Sequence, residues 1–196
     1  MIKRMKKKHS KYFKIYVITF IIGIVIAILF INNLSKNELN TILINIKKHK
    51  VLFNINNNSI DHLKILSVIL VLSFIYIGMP LFIGLLISES FKISLKIILL
   101  TKIFKTRGFI YGVLYNLING GLFIVLSYFL FKRIIRIFKK LYLNKFKGEI
   151  LNYNELYNLL IKTIFLIILI FISDLLIYFY GNNVLSIFKN ICKAWV

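Results

Sequence analysis

The chain has 196 residues, 59% hydrophobic and 17% charged, with 27 Lys and Arg against 6 Asp and Glu, a formal charge of +21. A soluble domain of this length is about 45–50% apolar and about 25% charged, so an ordinary soluble enzyme and a disordered tail are both excluded. Long apolar blocks and a mean hydropathy of +0.84 mark an integral membrane protein instead.

The first apolar block, Ile15–Ile31, is free of charge and follows a basic segment, 1–14, with lysines at Lys3, Lys6, Lys7, Lys8, Lys11 and Lys14. As a helix it reaches about 26 Å. It is too long for a signal-peptide core and lacks a small-residue cleavage site. The expectation is an uncleaved anchor with a cytoplasmic N-terminus. Residues 32–62 are polar and Asn-rich and read as an extracytoplasmic loop, with a short amphipathic helix over Leu39–Phe53.

A second block, 63–87, contains Gly78-Met79-Pro80 and the chain's single proline, which predicts a kinked span. The third block, 91–104, is short and carries Lys92, Lys96 and Lys102. The fourth, 109–131, is strong and opens into a basic cytoplasmic loop, 132–162, with Lys132, Arg133, Arg136, Lys139 and Lys140. The fifth, 164–180, precedes a tail at 181–196. If the third block crosses, both dense basic clusters share one side, as the positive-inside rule requires. The reading is an all-α polytopic membrane protein with about five transmembrane helices, N-terminus cytoplasmic and C-terminus extracytoplasmic.

Basic residues at the ends of apolar blocks serve topology, so no nucleic-acid partner is expected. Such clusters attract anionic lipids at about 1 kcal/mol per residue. The lone cysteine, Cys192, excludes an internal disulfide and a thiolate cluster. His9, His49 and His62 show no metal spacing and read as solvated, and no nucleophile elbow, P-loop or dinucleotide fingerprint occurs. The expectation is therefore no catalytic residue, no metal, no cofactor and no enzyme. Glu89 and Asp174 are intramembrane acids, each costing about 2.5–3.5 kcal/mol at mid-bilayer without a partner. They read as packing groups first and as a transporter's relay second. On the fourth block, Gly112, Asn116 and Gly120 recur every four residues, with Ser127 beyond them. That stripe suits close helix packing or docking of a partner's span.

These features together resemble the stage II sporulation protein M family of endospore-forming bacteria. The resemblance covers most of the chain. It rests on the Lys-rich start with His9-Ser10, Ile31-Asn32-Asn33-Leu34-Ser35 closing the first span, and Ile77-Gly78-Met79-Pro80-Leu81. The spacing to Arg107-Gly108-Phe109, the basic exit Arg133-Ile134-Ile135-Arg136, and the last span ending at Tyr180 also fit. The chain departs from the family where Lys96 and Ile98 replace small residues. It departs again at Leu117-Ile118-Asn119-Gly120-Gly121, which lacks the family's proline, and at Tyr178, which replaces a glutamate. The resemblance implies a membrane scaffold on the mother-cell side of the sporulation septum. Its partners would be two cell-wall hydrolases, a lytic transglycosylase and an amidase/endopeptidase, recruited for septal peptidoglycan remodelling and engulfment. Residues 32–62 and 181–196 would be the contact regions. The alternative is a small transporter or permease subunit using Glu89 and Asp174.

Overall fold

A computed structural model describes the backbone of residues 2–49, 59–73, 77–147 and 153–193, and the side chains of 12–44, 62–73, 77–144, 146, 153–181 and 183. The side chains of His9, His49 and Cys192, the loop segment 50–58, and the segment 148–152 lie outside the described residues. The protein is all-helical there, with α1 (Ile2–Asn33), α2 (Lys36–His49), α3 (Ser59–Ser73), α4 (Gly78–Lys147) and α5 (Tyr153–Lys193).

Two reversals shape the bundle. At Lys105 the backbone takes φ 53° and ψ −135°, which breaks α4 into antiparallel arms, 78–104 and 106–147. The arms meet so closely that a Cβ on Gly108 would lie 1.9 Å from the carbonyl oxygen of Leu100. The other reversal falls between Ser73 and Gly78, where a Cβ on Gly78 would lie 2.5 Å from the Ile69 carbonyl oxygen.

The second reversal corrects the expected kinked span over 63–87. Its first part belongs to α3 and its second part opens α4. Pro80 sits in the first turn of α4, where a missing N–H costs nothing because that donor has no intrahelical partner. Gly78-Met79-Pro80 therefore starts a helix rather than bending one. The weak block at 91–104 is the continuation of that helix, and the whole arm is about 40 Å long. α3 is only 15 residues, about 22 Å, against an apolar bilayer core of about 30 Å.

Side-chain contacts set the heights along the bundle. Tyr16 of α1 meets Ile124 and Ser127. Gly23 lies against Ile87 and Ser90, and Ile31 clusters with Leu99, Leu100, Tyr111 and Tyr115. α1 and the first arm of α4 thus run in one direction and the second arm returns. Phe131 packs among Tyr16, Phe82 and the α5 residues Leu166 and Ile170. The basic residues after Phe131 share that end with the start of α1, and Lys140 pairs there with Glu155. The expected loop 132–162 is instead mostly helix, extending α4 to Lys147 and starting α5 at Tyr153. Likewise α5 continues through the expected tail to Lys193.

Three stretches, Tyr12–Asn33, Gly78–Asn144 and Tyr153–Gly181, are long and apolar enough to cross a membrane. The chain is a multi-pass membrane protein. α1 shows why: one stripe, Tyr12, Tyr16, Thr19, Ala27 and Ile31, is buried, while Ile18, Ile21, Val25 and Leu29 face outward. In water those outward residues would be a large exposed apolar patch; in lipid they are solvated.

At the end opposite the basic clusters, α2 follows α1. Ser35 caps it: its Oγ accepts from the Glu38 amide at 3.3 Å, and the Glu38 carboxylate accepts from the Ser35 amide and hydroxyl at 2.9 and 2.8 Å. This is a capping box, with both partners satisfying free donors. The hydroxyl and then the amide hold the Glu38 carboxyl below its ordinary value of 4.5. Leu39, Ile42 and Leu43 of α2 pack on the Ile31 cluster.

Candidate functional site: a buried imidazole between two carboxylates

α3 buries one stripe, His62, Leu66, Ile69 and Ser73, at helical spacing. α5 answers with Thr163, Leu166, Ile167, Ile170, Ser173 and Asp174. Where these stripes meet, His62 Nδ1–H donates to Asp174 Oδ2 at 2.7 Å. The other ring nitrogen, Nε2, lies 3.8 Å from Glu89 Oε1 on the first arm of α4. Glu89 also accepts from Lys92 Nζ at 2.7 Å. The imidazole stacks on Phe123 of the second arm, with centroids 4.5 Å apart and planes 23° apart. Four helical segments therefore converge on one ring.

His62 opens the apolar part of α3, and Asp174 lies in the last third of the apolar stretch Tyr153–Gly181. Glu89 adjoins Ser90, which touches Gly23 near the centre of the apolar part of α1. Asp174 and His62 are buried and the Glu89 side chain is 13% exposed, whereas that of Lys92 is 59% exposed. With His62 protonated, two cations face two carboxylates and the cluster has no net charge. The carboxylates approach opposite ring nitrogens, so the three groups do not surround a common ion. Among the described residues no cluster of three His, Cys, Asp or Glu is arranged to hold a metal.

Chemically, this arrangement does two things. It ties α3, α4 and α5 together through charge-assisted contacts in a low dielectric, where breaking one side leaves an uncompensated group. It also forms a continuous polar row, Asp174, His62, Glu89 and Lys92, from the interior to the bundle surface.

Glu89 and Asp174 thus come together through His62, which sequence reasoning treated as solvated. The signal for His62 was its register with Leu66 and Ile69. Gly78 and Pro80 lie apart from this site, at the basic end. The glycine stripe is used inside the chain: a Cβ on Gly112 would lie 3.2 Å from Ile97 Cα, and one on Gly120 would lie 3.7 Å from Ile93 Cδ1. Asn116 is buried but donates to its own helix, to the Gly112 carbonyl at 2.7 Å. Ser127 bonds the Ile124 carbonyl at 3.0 Å and lies 2.9 Å from the Tyr16 hydroxyl. Lys96 sits over the Tyr115 ring, 5.1 Å from its centroid, bridging the two arms of α4.

Comparison with known proteins gives no match to this chain, whether among family models, curated proteins or solved structures.

Proposed function

We propose that this protein is a multi-pass membrane scaffold that recruits peptidoglycan hydrolases to a septum, for the wall remodelling that precedes engulfment of a forespore. The sequence resemblance supplies the partners, a lytic transglycosylase and an amidase/endopeptidase. The observation that carries the reading is the placement of α2. Its Leu39, Ile42 and Leu43 rest partly buried on the Ile31 cluster, and Lys36, Asn37, Asn40 and Thr41 remain exposed together with Ile44, 62% exposed. A capped helix held by one face and open on the other is a docking surface.

With the basic clusters cytoplasmic, as the positive-inside rule places them, α2 faces the wall. In this reading the N-terminus is cytoplasmic, α1, α3, the two arms of α4 and α5 make five passes, and the C-terminus is outside. The protein does no catalysis; anionic lipids gather at Lys132, Arg133, Arg136 and Lys139. The test is a triple variant of the exposed face, Lys36→Glu with Asn37→Asp and Asn40→Asp, expressed in sporulating cells. Hydrolases dispersing from the septum while the variant stays there supports the reading. Unchanged hydrolase localisation refutes α2 as the contact.

A second reading is favoured by the His62 cluster. A row of ionisable groups inside the bundle, beside the short helix α3, is the pattern of a proton-coupled carrier. Asp174→Asn separates the two: a scaffold keeps its partners, a carrier loses transport.

A further inference from the structure

α3 is held firmly at its two ends and loosely between them. At Ser73 the turn into α4 is tight: a Cβ on Gly78 would lie 2.2 Å from Ser73 Oγ and 2.5 Å from the Ile69 carbonyl oxygen. Among the described residues, a groove of about 530 Å³ lies between α3 and the first arm of α4, with Ile65 and Val68 on one wall and Leu81 and Gly84 on the other. A Cβ on Gly84 would meet nothing within 4 Å. At the start of α3 the polar hold is His62. Among the described side chains of α3, His62 alone makes a hydrogen bond or ion pair to another helix. The Ser73 hydroxyl donates instead to the Ile69 carbonyl of its own helix at 2.7 Å.

We infer that His62 is a proton-operated latch: the protonated ring holds the start of α3 between Asp174 and Glu89, and loss of the proton lets that end swing about the turn beside Ser73. The inference stands on this geometry and on neither functional reading. The charges around the ring decide the direction. Among the described residues, α5 presents Asp174, the first arm of α4 presents Glu89 with Lys92 behind it, and the second arm presents the uncharged face of Phe123. Lys96, two turns beyond Glu89, lies over the Tyr115 ring. On α3 itself Lys64 is exposed, and the side chain of Asp61 lies outside the described residues. With the proton on the ring, two cations face two carboxylates. Without it, Lys92 is the one cation left to both, and it is bonded to Glu89 at 2.7 Å. Asp174 then keeps a charge in a low-dielectric interior with no counter-charge beside it, which disfavours the closed arrangement. Opening relieves that by letting water reach the carboxylate. Proton binding and closure therefore favour each other, and closure weakens as pH rises. α2 ends at His49 and α3 begins at Ser59, so the end that opens is the one joined to α2.

The test uses the full chain in phosphatidylcholine nanodiscs, with Cys192→Ser and spin labels on Ser67→Cys of α3 and Leu176→Cys of α5, both exposed positions. Double electron–electron resonance reads the label distance between about pH 5 and pH 9. One distance is expected at low pH and a second at high pH, their ratio changing by up to about tenfold per pH unit, as a single proton requires. A control pair, Val25→Cys on α1 with Leu122→Cys on α4, both exposed, is expected to stay constant. His62→Gln is expected to remove the pH dependence and Asp61→Asn to leave a transition in place. A further measurement leaves the cluster intact. In a chain carrying His9→Gln and His49→Gln, His62 is the one histidine left of three. Its ring is expected, by nitrogen-15 NMR, to lose its proton over the range in which the distance changes. The inference is overturned by a single distance at every pH, by a transition that survives His62→Gln or is abolished by Asp61→Asn, or by a ring whose protonation stays fixed while the distance changes. It is also overturned if the control pair changes alongside, since the bundle then loosens as a whole. No hydrolase and no transported solute is present, so failure here leaves both functional readings standing.

Discussion

Removing the carboxylate of Asp174 is the sharpest perturbation of the interior. In Asp174→Leu the buried Nδ1–H of His62 loses its acceptor at 2.7 Å, and the ring keeps only Glu89 at 3.8 Å. Breaking one side of a buried pair costs about 3–5 kcal/mol in soluble proteins. In membranes the unfolded reference keeps its helices, whose polar groups find other partners, and single interhelical bonds average about 0.6 kcal/mol. A charge-assisted bond in a shared cluster falls between these, at about 2–3 kcal/mol. That is about a 30- to 140-fold shift in the folding equilibrium. Asp174→Asn keeps an acceptor and is expected to lose about half as much. His62→Leu combined with Asp174→Leu removes both polar partners and is expected to cost less than the sum of the single variants. The assay is reversible unfolding in mixed detergent micelles, followed by circular dichroism and arranged as a double-mutant cycle. Additive losses, or a loss below about 0.5 kcal/mol for Asp174→Leu, would refute the interhelical tie.

Other outcomes follow from local geometry. A Cβ on Gly23 would lie 1.7 Å from Ser90 Oγ and 2.5 Å from the Ile87 carbonyl oxygen; Gly23→Leu is expected to cost at least about 1–3 kcal/mol through overpacking. Gly121→Ala, where nothing lies within 4 Å, is expected to be neutral or better in the same assay. Pro80→Ala is expected to change stability by less than about 1 kcal/mol, because Pro80 is in a first helical turn; a large loss would restore the kink. Glu38 has a folded value depressed by Ser35, so its contribution to α2 is full above the ordinary carboxylate range. That contribution is lost as pH falls through the folded value. Hydrogen exchange of α2, corrected for intrinsic rates, is expected to rise on acidification, and Glu38→Gln to remove that dependence. Thr106→Cys, beside the reversal at Lys105, is expected to react with an impermeant reagent in intact cells. Labelling only after permeabilisation would invert the orientation.

The sequence carried the long helices plainly, because an uncharged run such as Ile15–Ile31 has only one physical solution in lipid. It was ambiguous at Gly78-Met79-Pro80. Glycine and proline there suit a kink as well as a helix start, and the deciding fact is the contact of Gly78 with Ile69 and Ser73 across the turn. That single reading moved the boundary between the second and third blocks and made 91–104 look too short. Glu89 and Asp174 stood out in the sequence as acids beside or within apolar blocks. Their partner did not, because His62 and Asp174 are 112 residues apart and His62 follows the polar run that ends at Asp61. The stripe on the fourth block was legible as packing. The direction of the Asn116 amide was not, since an amide in a helix can satisfy itself on the carbonyl one turn back.

The scaffold reading is tested most directly by a mild-detergent pull-down of the tagged chain from its own cells entering sporulation, with mass spectrometry of what accompanies it. A control bait of similar hydropathy sets the background. Recovery of a lytic transglycosylase and an amidase/endopeptidase above that background is the expected result. Their absence, with an ATPase subunit or no protein in their place, would contradict the scaffold and turn attention to Asp174 as part of a carrier.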